Sequence, residues 1–320
     1  MLCCSYAALA DNNFANRPDV QLFIKKMVKK HGFKENELVD LFKTVTIRPP
    51  IMQSIKAPLE QKPWYSYQLF FVNQSHIREG VAFWNQHAAA LEKVEKQYGV
   101  PAGIIVATIG VETKYGKYKG EYPVIDALCN IAFSGSPRAG FFRSELEEFL
   151  LLSREQHLNP RAIKGSYAGA IGQPQFMPSS YRRYAVSYAG NNRIDLTNNV
   201  PDIIISIANY YKKHGWQANQ PVVIPAMMEK NLYRYFIHVT PPNTLNSNQL
   251  SRYGILTSNQ ILPIQKVRVI TLQNYYRDEY WIGLHNFEVI RLYNPSNLYA
   301  MAVYQLSYYI TTLRNRLGHA

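Results

Sequence analysis

The stretch IIVATIGVETKYGKYKG, residues 104–120, sets an ionisable carboxyl, Glu112, at the end of an aliphatic run. Pro101 stands just before the run, and proline is tolerated in a first helical turn. The segment reads as a buried helix that opens near Pro101 and closes near Tyr115–Gly116, with Glu112 in its last turn. Burial disfavours a charged carboxylate, and so does the negative end of a helix. Both effects raise the expected pKa of Glu112. A carboxyl kept protonated near neutral pH is what a general acid needs to protonate a departing oxygen. On these residues alone a second reading stands beside it: a structural carboxylate at a helix end, paired with Lys114 or Lys117.

On the N-terminal side, residues 76–98 carry apolar positions at helical spacing (Ile77, Val81, Phe83, Trp84, Ala88, Leu91, Val94). Residues 19–45 read as two short helices, DVQLFIKKMVKKHG and NELVDLFKTV, with Gly32 as a stop. Residues 46–67, rich in proline, read as an extended connector. On the C-terminal side, residues 138–156 and 199–215 read as helices, the second closed by Gly215. Residues 217–275 change character: PVVIPAM, RYFIHV and KVRVITL are β-rich and separated by Asn, Pro and Ser. YWIGLHNFEVIRLY reads as a hairpin turning at His285-Asn286, and a last helix runs near Tyr299–Arg316. The expected fold class is mainly α, of the α+β kind. The division is a signal-like N-terminus (1–18), a helical domain and connector (19–75), a catalytic core (76–216), a small β-rich subdomain (217–275) and a return to the core with a C-terminal helix (276–320).

The chain has 320 residues and a formal net charge of +13. That field attracts anionic partners. The one dense basic patch, Lys25, Lys26, Lys29 and Lys30, reads as a solvated helix face. No nucleic-acid module signature appears, and nucleic acid is not an expected partner. No apolar run approaches the roughly 20 residues of a membrane span. Of three cysteines, Cys3 and Cys4 lie in MLCCSYAALA, which reads as the tail of a secretory signal with an A-x-A cleavage site at Ala8-Leu9-Ala10. Periplasmic export is the expectation, and lipid attachment at Cys3 or Cys4 stays open. Cys129 reads as an inert core residue.

A second stretch, KGSYAGAIGQPQFMPSSYRRY at residues 164–184, packs small residues (Gly165, Gly169, Ala170, Gly172) among polar and aromatic ones. Small residues let backbone approach a ligand or another segment closely. Gln175 beside Phe176 and Met177 offers amide hydrogen bonds next to an apolar wall, which is how sugar hydroxyls and ring faces are held. A tight helical hairpin that needs small residues is the other reading.

GVETKYG, KGSYAGAIGQPQFMPSSYRRYA, IANYYKKHGW and RLYNPSNLYAMAVYQL together resemble the membrane-bound lytic murein transglycosylase B family, over about residues 23–313. The resemblance implies a lysozyme-like catalytic core with an N-terminal helical domain and a small β domain. It implies cleavage of the β-1,4 bond between N-acetylmuramic acid and N-acetylglucosamine in peptidoglycan, giving 1,6-anhydromuramic products. Glu112 matches the single catalytic acid. Ser166, Gln175, Phe176, Met177, Tyr210, Tyr293, Asn294 and Tyr299 match residues lining the sugar cleft. The implied partners are peptidoglycan glycan strands; other cell-wall enzymes and outer-membrane attachment stay open. Retaining hydrolysis needs two carboxylates about 5 Å apart, and the matched motifs offer one. Substrate assistance by the 2-acetamido group is therefore the expected route, with Glu112 as acid and then base and Ser166 orienting the acetamide. Asp126 in VIDALCN reads as structural.

Two departures from the family pattern stand out. The family has an EF-hand-like calcium loop after the second motif. Here residues 187–202, SYAGNNRIDLTNNVPD, carry Ser187, Ala189 and Asn191 where stronger oxygen ligands are expected. No cofactor and no tight calcium site are expected. Gln173-Pro174 also departs from the usual pair before Gln175, which puts the fine specificity in question. A water-using muramidase and a catalytically silent wall-binding scaffold remain the alternative functions.

Overall fold

In the computed structural model, residues 13–56, 61–229, 243–257 and 263–318 are described. The signal-like residues 1–12 and the segment RYFIHV lie outside them. The described chain forms two compact units.

The first unit holds the described residues up to 56, with 120–171 and 176–182. Its helices are α1 (Pro18–His31), α2 (Glu35–Phe42), α3 (Pro49–Lys56), α8 (Val124–Ala132), α9 (Ala139–Glu155) and α10 (Pro178–Tyr184), with a two-stranded ribbon of β1 (Tyr122–Pro123) and β2 (Lys164–Gly165). Helix α8 packs on α9, and α1 is tied to α9 by ions. Glu147 of α9, only 7% exposed, accepts from Lys26 (2.5 Å), Lys30 (2.8 Å) and His31 (2.7 Å). The dense lysine patch is solvated as expected, and two of its four lysines also reach a buried carboxylate. Asp126 is structural in the sense expected: buried, it accepts from the Thr46 N–H (3.1 Å) and Arg48 Nε (2.7 Å). Cys129 is a buried free thiol, and burial pushes its pKa well up.

The second unit holds the described residues of 57–119, 172–175 and 183–318. Its helices are α4 (Trp64–Phe71), α5 (Gln74–Gln86), α6 (Ala88–Tyr98), α7 (Ala102–Thr113), α11 (Val200–Lys213), α12 (His285–Tyr293) and α13 (Asn297–Gly318). Helix α7 is rich in β-branched residues, which are poor helix formers. Burial overrides propensity here: Ile105, Val106 and Ile109 are fully buried, and every residue from Ala102 to Val111 is inside. A helix apolar on all sides is stable only when wrapped, and α5, α6, α11 and α13 wrap it. Burying one such side chain contributes about 1.5–3 kcal/mol.

Strands β3 (Val223–Met228), β4 (Thr244–Asn246), β5 (Ile255–Thr257), β6 (Lys266–Leu272) and β7 (Glu279–Gly283) form one antiparallel sheet in the order β4-β6-β7-β3-β5. One face carries a small core of Ile224, Leu245, Leu250, Ile255, Val267, Val269, Ile282 and Leu284.

Three expectations are corrected. Residues 46–67 are not an extended connector: α3 starts at Pro49, and Pro63 caps α4, positions where a missing N–H costs nothing. His285-Asn286 is not a hairpin turn: β7 ends at Gly283 and α12 begins at His285. The buried Asn286 fixes this switch by accepting from the Gln217 N–H (2.9 Å) and donating to the carbonyls of Gln217 (2.8 Å) and Gln220 (2.9 Å). The single helical pattern over 76–98 is two helices, with His87 between them.

Candidate active site

Glu112 lies in the last turn of α7, half-buried. Its Oε1 accepts a hydrogen bond of 2.6 Å from the hydroxyl of Tyr299, which α13 carries and which is 2% exposed. The rings of Tyr293 and Tyr299 stack at 6.3 Å with an interplanar angle of 14°. Tyr293 also meets Tyr210 (4.8 Å) and Tyr211 (5.7 Å). Tyr211 is fully buried and shares a 2.9 Å hydrogen bond with Thr108, one turn before Glu112 on α7. Tyr210 donates to the Leu292 carbonyl (2.7 Å) and lies on His214 at 4.0 Å. Asn294, half-buried, closes α12 in extended backbone.

These phenols do not ionise easily. Burial, and then the charge of Glu112, push Tyr293 and Tyr299 well above the ordinary phenol range. Burial raises Tyr211 too, against a pull down from Thr108, and Glu112 adds to the rise. They remain O–H donors around the carboxyl.

The segment Gly172–Gln175 belongs to the same unit and is held from several sides. Gln173 donates its N–H to the Leu196 carbonyl (2.8 Å). Its own carbonyl accepts from Thr113 Oγ1 (3.0 Å), the residue after Glu112. The Tyr293 hydroxyl donates to the Pro174 carbonyl (2.5 Å). Gln175 sits at φ 49°, a left-handed conformation that costs a non-glycine residue roughly 1–2 kcal/mol. Its Nε2 donates to the carbonyls of Gly172 (2.8 Å) and Lys119 (3.2 Å). Gly172 answers the expectation of close approach: a Cβ there would stand 2.2 Å from the Leu196 carbonyl oxygen.

Glu112, Gln175, Tyr210, Tyr293, Asn294 and Tyr299 thus fall in one compact unit. Ser166, Phe176 and Met177 fall in the other. Ser166 Oγ accepts from the N–H groups of Ala168 (3.3 Å) and Ala170 (3.1 Å), closing a turn. Phe176, expected as part of an apolar wall beside the sugar, is 2% exposed and its backbone pairs with Ile171. Met177 is half-buried. Tyr211 and Thr113 were not singled out from sequence. The signal for Tyr211 was its place on the buried face of IIISIANYY, one residue past the expected Tyr210. Of the other carboxylates, Glu145 accepts from the N–H (2.9 Å) and hydroxyl (2.7 Å) of Ser179 at the start of α10.

In the loop 187–202 the carboxylates are bonded to the chain itself. Asp202, 1% exposed, accepts from the backbone N–H groups of Tyr188 (2.7 Å) and Asp195 (3.1 Å). Asp195 accepts from the N–H groups of Thr197 (2.7 Å) and Asn198 (3.0 Å). Asn191 accepts from the Ser187 hydroxyl (2.9 Å). A calcium ion needs six to eight converging oxygens. Among the described residues no group of three or more His, Cys, Asp or Glu side chains is placed to hold a metal ion.

A mainly helical chain with a small antiparallel sheet and a carboxyl set among tyrosines is the lysozyme-like architecture of glycan-cleaving lytic enzymes. Residues 15–308 match the family model described as the transglycosylase SLT domain, and the chain belongs to that family. It is 36% identical over 318 residues to membrane-bound lytic murein transglycosylase B of Escherichia coli, covering 94% of this chain and 85% of that protein. Among solved structures, soluble lytic transglycosylase SltB1 of Pseudomonas aeruginosa superposes with a TM-score of 0.86 at 44% identity, over 93% of this chain and all of that one. The Escherichia coli lytic transglycosylase Slt35, solved in complex with calcium, gives a TM-score of 0.86 at 37% identity over 94% and 95% of the two chains.

Proposed function

We propose that this protein is a peptidoglycan lytic transglycosylase that cleaves the β-1,4 bond between N-acetylmuramic acid and N-acetylglucosamine and leaves a 1,6-anhydro end. The observation that carries the catalytic assignment is the 2.6 Å hydrogen bond from Tyr299 to Glu112 at the end of a wrapped helix. One carboxyl oxygen is held by a phenol that stays protonated, which orients the carboxyl for proton exchange with substrate. Glu112 donates that proton to the glycosidic oxygen as the C1–O bond breaks. The 2-acetamido carbonyl oxygen of muramic acid bonds to C1 and gives an oxazolinium-like intermediate. Glu112, now a carboxylate, takes the proton of the C6 hydroxyl, and O6 displaces the acetamido oxygen at C1. No water is consumed, and one residue serves as acid and then base.

Gln175 contributes its amide oxygen to sugar hydroxyls, because its Nε2 is engaged by Lys119 and Gly172. Tyr210 and Tyr299, both buried, shape the site through their hydroxyl bonds rather than by offering ring faces. Tyr293 and Asn294 line it; Ser166 and Met177 belong to the other unit. Phe176 acts as core. The enzyme works without a divalent cation: Asp202 closes the 187–202 loop on backbone N–H groups, whereas the relative Slt35 was solved in complex with calcium. Export to the periplasm rests on the signal-like start. Among the described residues no helix is long and apolar enough to cross a membrane.

The test is digestion of purified peptidoglycan with mass analysis of the fragments. Anhydro ends are expected, and Glu112→Gln abolishes them while wall binding persists. Water-added ends identify a muramidase instead. Undiminished digestion by Glu112→Gln removes the catalytic assignment.

A further inference from the structure

We propose that Tyr115 is a positioning residue for Glu112, locked into a slot that Gly80 and Gly110 leave open where α5, α7 and α13 meet. The inference rests on reading Glu112 as the acid and base.

Three successive residues after α7 take left-handed backbone: Lys114 (φ 48°), Tyr115 (φ 58°) and Gly116 (φ 82°). A helix C-terminus ordinarily uses one such residue, a glycine. Here two of the three carry side chains, and they follow the proposed acid by two and three positions. Strain of this kind persists only where surrounding structure over-determines it.

The surroundings do so at the tip of the Tyr115 ring. Its hydroxyl donates to the His76 carbonyl on α5 at 2.7 Å. Inside a helix that carbonyl pairs with the N–H four residues on, at Gly80. A second donor reaches it because Gly80 has no side chain. A Cβ on Gly80 would lie 2.6 Å from the Tyr115 hydroxyl oxygen and 2.4 Å from Ile310 Cδ1 of α13. A Cβ on Gly110 of α7 would lie 2.6 Å from the same hydroxyl oxygen. Both helices therefore give up a side chain to admit one phenol. Phe83 lies against its ring at 5.6 Å.

The consequence reaches Glu112 through covalent geometry. Glu112 lies between Gly110, against which the ring packs, and Tyr115, whose backbone the ring anchors. Thr113 adds a second tie: its Oγ1 accepts from the Gly116 N–H (3.1 Å) and donates to the Gln173 carbonyl. Helix α13 carries Ile310 at the slot and Tyr299 on the Glu112 carboxyl. The slot thereby sets where the carboxyl stands relative to its phenol partner. A misplacement of about 1 Å at a reacting group costs up to roughly 10²-fold in rate.

The test is Tyr115→Phe, which keeps the ring and removes the hydroxyl, with Gly80→Ala as a second variant that blocks the slot without touching Tyr115. On a soluble glycan-strand substrate both are expected to lower kcat about 10- to 100-fold, with KM within about twofold. Circular dichroism and thermal melts correct for any unfolded fraction. Tyr299→Phe combined with Tyr115→Phe should lose less than the product of the single losses, because both act through one carboxyl. The proposal is overturned by a kcat within twofold of the parent for Tyr115→Phe, by a loss accounted for by unfolding, or by multiplicative single effects. Glu112→Gln in parallel separates the two levels: if it remains active, the catalytic assignment fails; if it is inactive while Tyr115→Phe is fully active, only the positioning role fails.

Discussion

Gly110→Ala sets two effects against each other with opposite signs. Propensity alone favours alanine inside a helix by about 1 kcal/mol. The structure opposes it, because the new Cβ falls 2.6 Å from the Tyr115 hydroxyl oxygen, 2.8 Å from Cζ and 3.0 Å from Cε1. The ring is rigid at that end, and Gly80 on the other side leaves no room for a larger group. Overpacking of this kind costs about 1–3 kcal/mol. If the ring is displaced, the bond to the His76 carbonyl is lost as well, worth about 0.5–1.5 kcal/mol. The clash wins, and a net destabilisation of about 1–3 kcal/mol is expected. At about 2–4 °C per kcal/mol, the melting temperature falls by several degrees. Differential scanning calorimetry measures this, with Gly140→Ala in α9 as control, since nothing lies within 4 Å of a Cβ there. The control should hold or gain stability. A Gly110→Ala protein that melts as high as the control, or higher, refutes the slot.

The Glu147 carboxyl gives a pH prediction. Burial pushes it up, but hydrogen bonds from Lys26, Lys30 and His31 and the charge of Lys26 together bring it down to about 2. A group depressed on folding stabilises above its unfolded value, here 4.5, and loses that contribution as pH falls towards 2. The full shift corresponds to about 3 kcal/mol, and screening of the exposed lysines reduces it to about 1–2 kcal/mol. Urea melts of parent and Glu147→Gln should differ by that amount at pH 6 and converge as pH falls below 4; a pH-independent gap contradicts the assignment. For the 187–202 loop, neither EDTA nor millimolar calcium should move the melting temperature by more than about a degree, while Asp202→Asn lowers it by several because two buried N–H donors lose a charged acceptor. A saturable rise with calcium sinks the ion-free reading.

Helix α7 and its terminal carboxyl were legible because an apolar run, an opening proline and a closing glycine agree with one another. The prolines at 49, 50 and 63 misled for a physical reason: the residue that breaks a helix interior also suits a helix start, and spacing alone does not say which. YWIGLHNFEVIRLY alternates like a hairpin, yet the Asn286 amide bonds to residues 217 and 220, far off in sequence, decide that a helix begins there. Phe176 had the composition of a sugar platform and the burial of a core residue. The bond between Tyr299 and Glu112 spans 187 positions; family resemblance assigned both to one cleft, and neither it nor spacing gave the pairing. The Tyr115 slot was illegible from sequence because two glycines and a carbonyl on two helices build it jointly.

The phenols that crowd Glu112 give the site walls that are polar but electrically neutral. Such walls hold the carboxyl by hydrogen bonding without a net charge of their own, so added salt has little there to weaken. Ionic strength should instead act on the formal +13 carried by the chain as a whole, changing how often the enzyme meets an anionic polymer rather than how well it handles the bond once seated.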